Sequence, residues 1–203
     1  MQLNTLFEQI ISRPETHARL LNTLSLMENT GARKISASEH STNVTLLVLK
    51  HAAEEHRHAY YLKKQIGKLN ESYCPTYAYE YLLAPASSRI YLNKLDTEVS
   101  RYLKIALKLS GAELKFAAYL LVTYAIEVRA DELYPVYQEA LDNAKSKVNV
   151  KSIILEEEGH LEEMLKQLKE FSPEWEVHAK KALDIEVTLF NNWVQALANE
   201  LSQ

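Results

Sequence analysis

A chain of 203 residues is long enough for one domain with a sizeable core, and 47% hydrophobic with 25% charged residues is the balance of a globular protein rather than a disordered one. A net charge of −4 without a basic run gives nucleic acid no electrostatic hold, and a lone cysteine, Cys74, rules out an internal disulfide and any cysteine-ligated metal site. No stretch approaches the roughly 18 apolar residues of a membrane span, and the first twelve residues carry Glu8 and no positive region, unlike a signal peptide. The expectation is a cytoplasmic protein that binds neither nucleic acid nor membrane.

Four glycines and five prolines favour long helices joined by few turns, so the fold class expected is all-α, a single domain over 1–203. Residues 2–12 place Leu3, Leu6, Phe7, Ile10 and Ile11 on one side of a short helix. Pro14 starts the next, since proline suits a first helical turn. From Glu15 to about Lys34, His17, Leu20, Leu21, Leu24 and Met27 share a face, and Glu28 falls on that stripe. Gly31 follows one turn later, either ending the helix or letting a neighbour come close.

The polar residues 36–43 read as a turn. A helix from about Val44 to Leu69 then aligns Val48, His51, Glu55, His58 and Leu62. The tyrosine-rich stretch 70–93, broken by Pro75 and Pro85, reads as a crossover that lines an entrance or packs the outside. A helix follows from about Asp96 to Ser110. Another runs from Ala112 to about Asn143, apolar nearly all round before Glu127, with Pro135 kinking or resetting it. Residues 142–149 form a second hinge. A helix from Val150 to Phe171 aligns Ile153, Glu157, His160, Met164 and Leu168, and after Ser172-Pro173 a last helix reaches about Leu201.

Two stretches stand out: Glu55-His56-Arg57-His58 and Glu157-Glu158-Gly159-His160. Each is Glu-x-x-His, and an i, i+3 spacing aims both side chains the same way from a helix. Each is preceded by a glutamate on another helix, Glu28 or Glu127. The midpoints between partners fall near residues 41 and 142, inside the two hinges. Antiparallel hairpins would bring each pair to one height, about 20 Å from its turn at 1.5 Å per residue. A lone Glu in a run as apolar as that around Glu127 needs a partner, because an unpaired buried carboxylate is costly. Glu54, Glu156 and Glu158, by contrast, read as ordinary solvated residues.

Four helices giving Glu, Glu-x-x-His, Glu and Glu-x-x-His resemble the ferritin-like superfamily of di-iron and di-manganese carboxylate proteins. The resemblance covers residues 15–66 and 112–170, with 70–110 as its long crossover and extra helices at the N-terminus, middle and C-terminus. It implies a four-helix bundle binding two Fe ions, or alternatively Mn. Glu28, Glu55 and His58 would serve one half of the site and Glu127, Glu157 and His160 the other, with Glu55 and Glu157 bridging. Hard carboxylate oxygens with imidazole suit Fe²⁺ or Mn²⁺, whereas zinc favours a closed tetrahedral site. No single family of the superfamily is singled out, and without a rubredoxin tail a complete rubrerythrin is not expected.

The activity this implies is a di-iron oxidase or oxygenase, using O₂ to oxidise a small organic substrate in a pocket formed by Tyr119–Ile126 and the crossover. A ferroxidase or peroxide-scavenging protein is the alternative, and a helical interaction protein with structural or no metal is a third. A homodimer is compatible with all three. Around the six residues, His51 reads as a buried hydrogen-bonded histidine or an extra ligand. Asp131 reads as an orienting partner for a ligating histidine or a solvated residue. Tyr124 reads as packing or a redox tyrosine.

Overall fold

A computed structural model describes residues 2–202, and of Glu158 the backbone alone. Among the described residues there are seven α-helices and no strand. In chain order they are α1 (Leu3–Ile11), α2 (Pro14–Ser38), α3 (Leu46–Ile66), α4 (Pro85–Ala106), α5 (Gly111–Asn143), α6 (Lys151–Phe171) and α7 (Trp175–Leu201), with a 3-10 turn at Tyr79–Tyr81. None is long and apolar enough to cross a membrane.

Local chemistry accounts for several boundaries. Pro14 and Pro85 both occupy the first turn of a helix, where a missing N–H costs nothing. Pro85 therefore begins α4, about eleven residues before the start expected near Asp96. Thr45 caps α3 by accepting the Val48 N–H at 3.3 Å. α5 continues through Pro135 to Asn143, held on both sides of the proline by buried Leu133, Tyr134 and Tyr137. α2 passes Gly31 and runs on to Ser38, taking over residues expected in the turn, because Ala32 and Ile35 bury on its inner side.

α2 packs along α3, and α5 along α6, as two antiparallel pairs. Ser25 Oγ donates to the Ala59 carbonyl at 2.6 Å across the first pair, and the Val150 N–H donates to Gln138 Oε1 at 2.7 Å near the hinge of the second. α4 and α7 pack on each other and on α5, and α1 lies against α2 and α5. The crossover straps over α2 and α3: Asn22 Nδ2 donates to the carbonyls of Thr76 and Tyr81 at 2.9 and 2.8 Å, and Lys63 Nζ to that of Cys74 at 2.6 Å. Residues 70–84 thus pack the outside.

Two apolar clusters fill the interior. One joins α1 with Leu20, Leu21, Leu62, Tyr137 and Trp193; the other joins Val48, Leu95, Val99, Leu121, Met164 and Leu168. Burying a side chain of this size stabilises the fold by about 1.5–3 kcal/mol. Glu28, Glu55, Glu127 and Glu157 belong to neither cluster. They lie at a level between them along the paired helices, and that level is the candidate site.

Candidate metal centre

Six side chains from α2, α3, α5 and α6 meet in this layer. Donor atoms of Glu55, Glu127, Glu157 and His160 all lie within 4.8 Å of one another, and so do those of Glu28, Glu55 and His58. Glu55 belongs to both sets. Glu157 faces both histidines: its Oε1 lies 3.1 Å from His58 Nδ1, and its Oε2 lies 3.2 Å from His160 Nδ1. Glu127 Oε2 stands 3.5 Å from His160 Nδ1, and Glu55 Oε2 stands 3.9 Å from His58 Nδ1. All but Glu28 are buried; Glu28 is half-buried and faces a cavity.

Both imidazoles turn Nδ1 inward and Nε2 outward, and each outer nitrogen meets a carboxylate of the opposite helix. His58 Nε2, on α3, pairs with Glu156 at 2.7 Å, and His160 Nε2, on α6, pairs with Glu54 at 2.8 Å. Arg57 bonds Glu156 and lies 3.9 Å from Glu54, tying the two straps together. This corrects the reading of Glu54 and Glu156 as merely solvated residues. They occupy the flanking position of their helices, and the facing helix is within reach. The signal was in the chain, because both motifs are in full Glu-Glu-x-x-His. The Glu158 side chain lies outside the described residues.

Asp131 is exposed and orients no histidine, since the outer nitrogens open toward the α3–α6 seam and away from α5. His51 is buried with both nitrogens engaged, Nδ1 with the Tyr119 hydroxyl at 3.1 Å and Nε2 with Glu163 at 2.9 Å, so it is a hydrogen-bonded neighbour. Tyr124 makes no side-chain hydrogen bond among the described residues. The tyrosine that reaches the cluster is Tyr134, two turns beyond Glu127 on α5, whose hydroxyl donates to Glu28. Its spacing from Glu127 was the available signal.

Electrostatics mark the cluster as under-neutralised. Burial first, and then the charge of Glu28, push the Glu55 carboxyl well above the usual range. Burial and Glu157 do the same to Glu127. Burial also works to raise Glu157, but neighbouring Glu127, His160 and His58 outweigh it and hold it low. For His160, burial favours the neutral ring, yet Glu127 and Glu157 overcome it and lift its pKa to about 11. Protons thus offset crowded negative charge.

Five buried side-chain nitrogen or oxygen atoms among the described residues lack a hydrogen-bond partner, and three belong here: His58 Nδ1 and both oxygens of Glu127, whose respective contacts with Glu157 and His160 are close but do not form hydrogen bonds. Buried polar atoms are rarely left so. Inward lone pairs without partners, four carboxylates and two imidazoles fit a pair of divalent cations.

A cavity of about 360 Å³ opens beside the carboxylates, walled by α2, α4, α5 and α7. Tyr119, Val122 and Ile126 line it, as expected for the apolar run of α5, whereas of residues 70–93 only Tyr91 and Leu92, both on α4, reach it. The pocket therefore belongs to the helices, and the tyrosine-rich strap takes no part in it. Comparison with family models, with curated proteins and with solved structures finds no match.

Proposed function

We propose that the chain is a ferritin-like dinuclear iron oxidoreductase, with manganese as the alternative metal, that uses O₂ to oxidise a small organic substrate. The observation that carries this reading is the position of Glu157, whose two oxygens face the inward nitrogens of two different histidines. A carboxylate so placed can span two ions. Glu55, shared by both donor sets, would supply the second bridge, with Glu28 and Glu127 as terminal ligands. When bound, two ferrous ions would supply the electrons that activate dioxygen, and an external electron donor would restore the ferrous state after each turnover.

The protein's own part is orientation and exclusion. Glu54 and Glu156 fix each imidazole with Nδ1 inward, and Tyr134 holds Glu28 by its hydroxyl. The cavity reaches Glu28, Glu55 and Glu127 through mainly apolar walls, which favours an organic substrate over the hydrated iron of a ferroxidase. The three partnerless buried atoms speak against a metal-free interaction protein.

The test is to load purified protein anaerobically with ferrous iron, then add O₂ and follow oxygen uptake and the visible spectrum. Wild type should consume O₂ and develop a ferric band, and Glu157→Ala should do neither. Identical behaviour of the two proteins would refute the proposal.

A further inference from the structure

We infer that the cavity is a binding channel for an unbranched aliphatic chain bearing a carboxylate head, and that Gly31 is the residue that leaves it open. The binding stands on the cavity alone; only the fate of the chain rests on the metal reading above.

Glycine is a poor helix former, yet Gly31 sits inside α2, seven residues before its end. Neither reading of it from sequence holds. The helix does not stop there, and no atom lies within 4 Å of where a Cβ would stand, so no neighbouring helix needs the room. Its φ is not in the left-handed region, which among the glycines only Gly111 adopts. What the missing side chain provides is open space. Gly31 lines the cavity one turn beyond Glu28, on the same face of α2.

On the facing wall the cavity follows α5 from Lys115 to Glu127, about 18 Å of helix. Ala118, Val122 and Ile126 line that stretch opposite Met27 and Gly31. At the outer end, Lys34 is committed to Asp96 at 2.7 Å. Lys115 is exposed and forms no ion pair among the described residues. An apolar path with one uncommitted cation at the mouth, which passes the carboxylates and continues to Leu133, Phe190 and Trp193, selects a chain that enters tail first and leaves an anionic head at Lys115.

The test titrates dodecanoate and dodecanol, below their aggregation limits, into iron-loaded protein by calorimetry. Dodecanoate should bind at one site per chain. Gly31→Leu should weaken it at least tenfold at unchanged iron content, and Val122→Phe, which fills the path from α5, should repeat the loss. Lys115→Gln should weaken dodecanoate several-fold and leave dodecanol unaffected. Absence of saturable dodecanoate binding, or wild-type affinity in both Gly31→Leu and Val122→Phe, would overturn the inference. Protein that binds dodecanoate but no iron upholds the channel and removes the metal reading, whereas protein that holds two irons and no dodecanoate does the reverse.

Discussion

Removing the Glu156 side chain separates a metal site from a structural salt-bridge network. Glu156 bonds His58 Nε2 at 2.7 Å and also Arg57, and its side chain is 27% exposed. The partly exposed pair with Arg57 contributes about 0–1 kcal/mol, but His58 is buried and loses its Nε2 partner, so Glu156→Ala should cost the metal-free fold about 1–3 kcal/mol. Loss of a carboxylate that orients a ligating histidine costs about 10–100-fold in metal affinity, or about 1.4–2.7 kcal/mol. The loss should fall on the ion held by Glu28, Glu55 and His58, and Glu54→Ala should weaken the other, held with His160. Anaerobic ferrous titration against a chelator dye reads affinity and stoichiometry, and urea unfolding of the metal-free proteins reads stability. Glu162→Ala, at an exposed position of the same helix, is the control. If Glu156→Ala and Glu54→Ala retain wild-type affinity for both ions, or lose only stability, the strap argument fails.

Three further outcomes follow from particular residues. Glu127 is 1% exposed with neither oxygen hydrogen-bonded, so Glu127→Leu should abolish metal uptake while stabilising the metal-free fold by about 1–3 kcal/mol, the cost of an unsatisfied buried polar group; a metal-free variant less stable than wild type in urea would contradict this. Burial lowers the His17 pKa from 6.5 to about 4, and the neutral ring shares a hydrogen bond of 2.6 Å with the Tyr137 hydroxyl. The stability this neutral ring contributes is fully present above pH 6.5 and is lost as pH falls toward 4, by about 3 kcal/mol. His17→Gln should remove that part of the acid sensitivity in urea titrations at pH 7 and pH 4, and parallel losses in the two proteins would refute it. Gly31→Ala, with open space for its methyl group, should raise stability by about 0.5–1 kcal/mol; a lower melting temperature would show that the glycine is needed for packing.

The parts of the fold that were legible are those where one periodicity decides. The stripes carrying Glu28, Glu55, Glu127 and Glu157 follow helical spacing, and the hinges near residues 41 and 142 are polar, so these side chains meet at one level. What could not be read depends on neighbours. Pro85 has the same local chemistry whether it breaks a segment or opens a helix, and burial of Tyr91 and Leu92 decides for the helix. Gly31 resembles a helix end until Ala32 and Ile35 are seen to bury beyond it. Glu54 and Glu156 resemble surface residues because a helical wheel shows one helix, and their partners stand on another. Asp131 fails for the converse reason: it stands one turn from Glu127 along the chain, while the histidines turn their outer nitrogens elsewhere.

The most direct test is anomalous diffraction at the iron edge from crystals of protein produced in iron-rich medium. Two peaks about 3.5–4 Å apart, between Glu55 and Glu157 and each within coordinating distance of one histidine Nδ1, are the result expected of a bridged pair. A single peak, or none within the layer formed by Glu28, Glu55, His58, Glu127, Glu157 and His160, would contradict it.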